Sequence, residues 1–505
     1  MNAPIQSVLV VGPAPDAPLA ALTLKRRHPE LAVRQLLLPG SPDPAGEATT
    51  PLFLQHLSGA LGLGRADIHR FAKPLWTLGF RMLWGRRGSF VRAFDSRLST
   101  PPAEGFRHNA GFHAIADGPD LASLGGALIA AGHVFPKDRS RSVRLLENIT
   151  GLQLRPGPLH ELLMRGCRAV GVETTHGSIA SVEASAAGVD AIVLEDGTRL
   201  EADLYGDLSG PDARILAATD GSRFEPESSA AFCTRAWTAI RRRGSEKIRP
   251  CTTIETVDAG WRWRVEHDDT IGFGLAYHPD TTSDDDALQL LLDKVGEPLA
   301  EPVRHQWTHG RQSRPWSANV VALGDAAGCL PPLAGMRLPG IVFQLHWLSR
   351  LLGETNGRPG EQSRALYHRT QSSAWHEMRD FLSIHHRFNT VSGSPYWTAA
   401  REAADPGSCR TFLGLFETGG PSGLLEQALP VYPSTLGFDT WLSALVGLGV
   451  PCAHLPELAG GEVREWQALA ARWAEQARAG ATPETCLEAI RKQVAPQGRA
   501  PDPIF

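Results

Sequence analysis

Three short segments of this 505-residue chain carry residue types suited to recognising phosphates and hydroxyls. The first is the turn Gly12-Pro13-Ala14-Pro15-Asp16-Ala17, which follows the apolar run Val8–Val11 and precedes LAALTLKRR. A strand, a small-residue turn and a helix form the opening unit of a dinucleotide-binding βαβ fold, where glycines allow a tight turn and close approach of a pyrophosphate. Gly12, Ala14 and Ala17 stand at the three glycine positions, and only the first is glycine. Ala14 adds a methyl where a phosphate oxygen would come near, and Pro13 and Pro15 remove N–H donors. Leu37, Leu38 and Pro39 end the second strand, where an acid would hold a ribose hydroxyl. The second segment, Asp207-Leu208-Ser209-Gly210, ends a strand in a turn that can come close to a cofactor. The third, Gly324-Asp325, follows the buried-strand pattern NVVAL. An aspartate there can accept from a ribityl hydroxyl, and the following helix start can face a pyrophosphate. Each segment alone also reads as an ordinary Gly-Asp turn; their order and separation make them a set.

The elements around these segments read as α/β. Leu31–Leu38 is a second strand, and LHELLMRGCRAVG is a helix leading to a strand at Gly171–Val172. Glu195-Asp196-Gly197 is a hairpin signal. Residues from about 225 to 320 are β-rich, and from about 350 onward the pattern is mostly helical. The expected organisation is a Rossmann-like cofactor-binding module over 1–350, with a β-rich substrate region interleaved at about 60–150 and 225–320. A helical substrate-side subdomain follows over 351–505. The chain carries 50 Lys and Arg against 54 Asp and Glu, so a basic nucleic-acid-binding face is not expected. No run of about 18 apolar residues suggests a membrane span, and the N-terminus lacks the pattern of a signal peptide. The seven cysteines form no CxxC pair and read as buried thiols of a cytoplasmic protein, with no metal site expected. Only six of the basic residues are lysines: Lys25, Lys73, Lys137, Lys247, Lys294 and Lys492.

Four further segments carry a resemblance. Gly46-Glu47-Ala48-Thr49-Thr50-Pro51 resembles a GEAT.P signature. Gly260-Trp261-Arg262-Trp263-Arg264-Val265-Glu266 resembles a WxWxIP motif, with Glu266 in place of its proline. Gly310-Arg311 to Asn319 leads into Gly324, and His385–Asn389 with Ser394-Pro395-Tyr396-Trp397 and Arg401-Glu402 resembles H…TPFW..RE. Together with the three turns, these resemble the flavin-dependent tryptophan halogenase family of the flavin monooxygenase superfamily, from about residue 8 to at least 450.

The resemblance implies a flavin monooxygenase-type FAD-binding domain. It implies FAD, delivered reduced by a separate flavin reductase through diffusion, an aromatic tryptophan-like or peptidyl substrate, and a monomer or homodimer. Gly12, Ala14, Ala17, Glu47, Ala48, Thr49, Asp207, Gly324 and Asp325 are its implied cofactor positions. Trp261 and Trp263 would lie between flavin and substrate. The family relays hypohalous acid to the substrate through a lysine; that position falls on Thr77, which offers neither charge nor amine. Lys73 lies four residues earlier, but Pro74 argues against a regular helix joining them. The family's glutamate and halide-binding Thr-Gly fall on Ala334, Met336 and Arg337. Glu266 is expected at a strand end, facing either the flavin region or, by preference, solvent. These joint departures argue against lysine-relayed halogenation of tryptophan. Three readings stay open: a monooxygenase or oxidase on the same scaffold, a non-catalytic binding protein with weakened FAD binding, and a halogenase with a rearranged site.

Overall fold

The computed structural model describes residues 3–40, 43, 45–98, 119–137, 143–227, 232–331, 333, 335–431, 434–455 and 457–494. The chain opens with strand β1 (Ser7–Gly12), helix α1 (Asp16–Arg27) and strand β2 (Ala32–Leu37). Five of the six β1 residues are buried, as expected of a central strand covered on both faces. Helix α1 carries Asp16 in its first turn and Lys25, Arg26 and Arg27 in its last, the charge order its dipole favours.

β1 is parallel to β2 on one side and to Leu204–Asp207 on the other. Beyond these lie Glu173–His176 and Val320–Ala322, both parallel, and the antiparallel Trp316–Ser317. In register, Val11 stands opposite Asp207, and Asp207 opposite Ala322. Gly12, Asp207 and Gly324, far apart in sequence, therefore leave the sheet along one carboxyl edge. That edge is where open α/β sheets leave a crevice for ligands.

The β-rich middle builds a second sheet of seven strands among the described residues. Its order is Val303–Gln306, Arg235–Arg242, Thr270–Tyr277, Gly260–Glu266, Thr252–Val257, Gly79–Leu83 and Phe90–Ala93. Gly274 has a specific reason to be glycine: a Cβ there would lie 2.0 Å from the Trp263 ring, so the indole lies against bare backbone. One helix interrupts the region read as β, Asp284–Val295. Ser283 accepts from the Asp286 N–H at its start, acids fill its first turn, and Ala287, Leu291 and Val295 bury one stripe.

Glu266 corrects both placements expected for it. It is 0% exposed and reaches neither solvent nor a cavity. Its carboxylate sits between the guanidinium groups of Arg243 and Arg264, each 2.6 Å away, and its N–H donates to Gln153 Oε1 at 2.8 Å. The strand carries the acid inward at a position where two arginines from neighbouring chain segments converge. An acid so held locks the end of the sheet.

Between this sheet and the helices Glu361–Arg387, Pro395–Ala403 and Phe438–Leu448 lies an aromatic core. Trp84 meets Trp261 and Trp397 edge-on, with ring centroids 6.0 and 5.0 Å apart, and His386 stacks on Trp397 at 5.6 Å. Trp84 Nε1 donates to His385 O. All seven cysteines are unpaired. Among the described residues no helix is long and apolar enough to cross a membrane.

Two expectations follow. Burial pushes the imidazoles of His56, His69 and His386 down to about 4, and those of His267 and His385 to about 3. A depressed imidazole contributes stability that is fully present above its unfolded value near 6.5 and lost as pH falls toward the folded value. Asp43, Glu47, Asp95, Asp120, Asp207 and Asp325 are raised by burial and act in the opposite sense, but burial also depresses His160, His309, His346, His368 and His376, so among the described residues ten imidazoles stand against six carboxylates. The urea midpoint should therefore fall between pH 6.5 and 4.5; a flat profile would contradict the assignment. Glu266→Gln strips the charge from a buried triad and should lower the unfolding free energy by about 3 kcal/mol, seen as a lower urea midpoint at unchanged slope.

Candidate functional site

A cavity of about 760 Å³ opens at the carboxyl edge of the parallel sheet and continues under the seven-stranded sheet. Its sheet-edge wall is made by Pro13–Asp16 at the start of α1, by Gly46–Ala48, and by Gly324 and Asp325. Its far wall is aromatic, with Phe80, Phe94, Trp263, Trp307 and Trp375. Helix Glu361–Arg387 closes one side, and the start of Phe438–Leu448 another.

At the sheet edge the local chemistry differs from a glycine-rich phosphate cradle. Gly12 packs against Leu208, where a Cβ would sit 2.6 Å from the leucine Cβ, so its role is close packing of turn on strand. Pro13 and Pro15 offer no N–H, and the Ala17 N–H is taken by Pro13 O at 3.0 Å. Ala17 itself is fully buried. Asp16 places a carboxylate at the first turn of α1, the place a phosphate would otherwise favour.

The charge facing this turn is Arg337. It begins helix Arg337–Glu354, with Met336 before it, and a cation at a helix start is opposed by the dipole. Two carboxylates offset that cost: Arg337 reaches Asp16 Oδ2 and Glu47 Oε1, each at 2.6 Å. Burial opposes its charge, but Asp16 and Glu47 outweigh burial and hold the guanidinium well above its ordinary pKa. Glu47 is raised by burial and pulled back by Arg337. Asp325 is likewise raised by burial, with Arg337 opposing the shift, and its carboxylate accepts no hydrogen bond from a described residue. Gly324 adopts φ +56° and donates its N–H to Gln344 Oε1 at 2.7 Å. Behind Arg337, Asp43 and His305 approach within 3.7 Å.

The structure gathers some of the sequence-derived positions and disperses others. Ala14, Glu47, Ala48, Gly324, Asp325, Trp263, Met336 and Arg337 line the cavity. Ala334 lies outside the described residues. Asp207 does not reach the cavity, because its carboxylate accepts from the N–H groups of Ser209, Ile215 and Leu216 and so shapes the following loop. Thr49 is buried and exchanges hydrogen bonds with Leu152. Trp261 belongs to the aromatic core, not the cavity wall, and Glu266 to the arginine clamp.

Thr77 and Lys73 also stand apart from the cavity. Thr77 ends the strand Leu75–Thr77, is fully buried, and donates its hydroxyl to Gly79 O at 2.8 Å. Lys73 is exposed at φ 47°, in the tight corner that Pro74 follows. The two share no helix face, so Lys73 does not replace a side chain at 77.

Two contributors escaped the sequence reading. Asp16 was visible in the turn, but its ion pair with a residue more than 300 positions away was not. Arg92 sits in the strand Phe90–Ala93 on the same face as Phe90, inside the cavity wall. An arginine alternating in step with a buried phenylalanine was the available signal.

Comparison with known proteins bears on this arrangement. The family model for tryptophan halogenase matches residues 7–461. Tryptophan 7-halogenase KtzQ of Kutzneria sp. (strain 744) is 27% identical over 218 residues, 42% of this chain and 40% of that protein. Tryptophan 6-halogenase ThaL of Streptomyces albogriseolus is 24% identical over 47% of this chain and 45% of its own length. The aligned part thus spans about half the length of the curated relatives or less. Among solved structures, MibH, a lanthipeptide-type tryptophan 5-halogenase, superposes with a TM-score of 0.87 at 26% identity, covering 98% of this chain and 94% of that one. BrvH, a flavin-dependent halogenase from Brevundimonas sp. BAL3, gives 0.85 at 24% identity over 96% and 99%, a likeness of fold. With the family model matched over nine-tenths of its length, the chain belongs to the tryptophan halogenase family.

Proposed function

We propose that the chain is a flavin-dependent oxidoreductase that acts on an aromatic substrate, tryptophan-like or peptidyl, with FAD reduced by a separate reductase, and without lysine-relayed halogenation. The observation that carries this reading is a single cavity joining the Gly324–Asp325 edge to the aromatic wall of Phe80, Phe94 and Trp263. When bound and reduced, FAD supplies the reaction with dioxygen. Asp325, an acceptor with no partner among the described residues, suits a ribityl hydroxyl. Ala14, Glu47 and Ala48 would border the same group. Trp263 and Phe80 would hold an aromatic ring by stacking or edge contacts.

The residues fit FAD unevenly. Backbone amides serve pyrophosphate poorly here, because two of the turn's residues are proline and Asp16 adds a negative charge. Arg337 reaches that turn through its ion pair with Asp16, and the guanidinium N–H groups that Asp16 and Glu47 leave over would serve a phosphate in place of the amides. The halide step loses support at two points: Thr77 is buried against Gly79, and a long guanidinium stands at the halide glycine position.

Two variants test the arrangement by FAD titration followed through flavin fluorescence. Arg337→Ala leaves Asp16 and Glu47 unopposed and should weaken FAD binding by about tenfold or more, roughly one charge-assisted hydrogen bond. Asp16→Asn removes the carboxylate nearest the turn and should tighten it. Supplied with a flavin reductase, bromide and tryptophan, the native protein should give no bromotryptophan by mass spectrometry; a brominated product would favour a rearranged halogenase instead. The acid-bearing, proline-rich turn favours a second reading, a non-catalytic binding protein. Absence of FAD binding at saturating concentrations would select it.

A further inference from the structure

Among the described residues no anion meets Arg92. It is 7% exposed and lines the cavity. Its guanidinium lies over the Phe80 ring at 5.1 Å and the Phe381 ring at 5.4 Å. Its Nε is buried with no acceptor, and among the described residues no carboxylate, carbonyl or hydroxyl accepts from the side chain. The nearest acid in sequence, Asp95, accepts from the Gly125 N–H at 2.9 Å. His385, the adjoining titratable group on helix Glu361–Arg387, is held neutral by burial. Burial alone pushes Arg92 down to about 10, with no carboxylate opposing it.

A buried cation is costly unless paired, and two ring faces recover only part of that cost. The contrast with Arg337 is instructive. In the same cavity Arg337 meets two carboxylates of the protein, whereas Arg92 meets none among the described residues. Its planar fork suits a carboxylate bidentately, and the phenylalanines beside it, with Phe94 and Trp263, suit an aromatic ring.

We propose that Arg92 is a substrate-recognition residue that pairs with a carboxylate, so the cavity selects aromatic acids over their neutral analogues. This inference rests on the reading of the cavity as the site of an aromatic substrate, and it names the substrate class. The carboxylate comes either from a free aromatic acid or from an acidic group on a peptide that carries the ring.

The test is titration calorimetry on the full-length protein with indole-3-acetate and, separately, indole-3-acetamide. Native protein should bind the acid at least tenfold more tightly than the amide. Arg92→Met should remove that preference, binding both alike, and Arg92→Lys should keep part of it. Equal binding of acid and amide by native protein would overturn the proposal without reference to any variant. So would a preference that persists in a folded Arg92→Met protein, as judged by its unfolding midpoint. A tripeptide Ala-Trp-Ala with free or amidated C-terminus, and Glu-Trp-Ala-amide, separates the sources: tight binding of the last assigns the carboxylate to a peptide side chain, and of indole-3-acetate alone to a free acid. The titrations run with and without FAD. Loss of FAD binding with the acid preference intact sinks the flavin reading and leaves this one standing; FAD binding without acid preference does the reverse.

Discussion

The bridge from Arg337 to Asp16 and Glu47 ties together three parts of the chain that the sheet alone does not fix. It joins the first turn of α1, the segment after β2 and the start of helix Arg337–Glu354. Without it, two carboxylates would face each other across the mouth of the cavity, with Asp325 close by. Without them, a cation would sit at a helix start against the dipole. Each charge is tolerable there because of the others, so the cavity mouth stands or falls as a unit. The raised states of Glu47 and Asp325 measure how little solvent helps them.

Below this mouth the molecule relies on burial of aromatic rings and neutral imidazoles. Trp84, Trp261, Trp397 and His386 form one contiguous group between sheet and helices. Two buried charges contrast in this interior: the compensated triad of Glu266 with Arg243 and Arg264, and Arg92, which no described carboxylate compensates. The first closes the end of a sheet. The second leaves a demand on whatever enters the cavity.

Much of this was legible in the sequence. The strand–turn–helix at Gly12 and the strand leading to Gly324 were readable because their signals are local: apolar runs bounded by small residues. Membership of the family was readable from motifs for the same reason. The positions that the structure turns away from the cavity share a different cause. Glu266 looked like a strand-end acid because nothing nearby in sequence shows Arg243 folding back upon it. Asp207 looked like a cofactor contact, yet its oxygens are taken by amides of the next loop. Thr49 and Trp261 sit in the expected segments but face inward, and one residue of alternation decides that. Arg92 stands out only in three dimensions, where no described residue accepts from its side chain.

The turn between β1 and α1 has a consequence for adaptability. Pro13, Pro15 and Pro18 fix their φ angles, so this stretch of backbone has few alternatives to lose or to gain. A glycine-rich turn accommodates a ligand by shifting its main chain. Here the main chain is stiff, and the side chain opposite, Arg337, is held by Asp16 and Glu47, so neither wall of the mouth shifts freely. A change of ligand at such a mouth calls for a change of residue, while the loop keeps its shape.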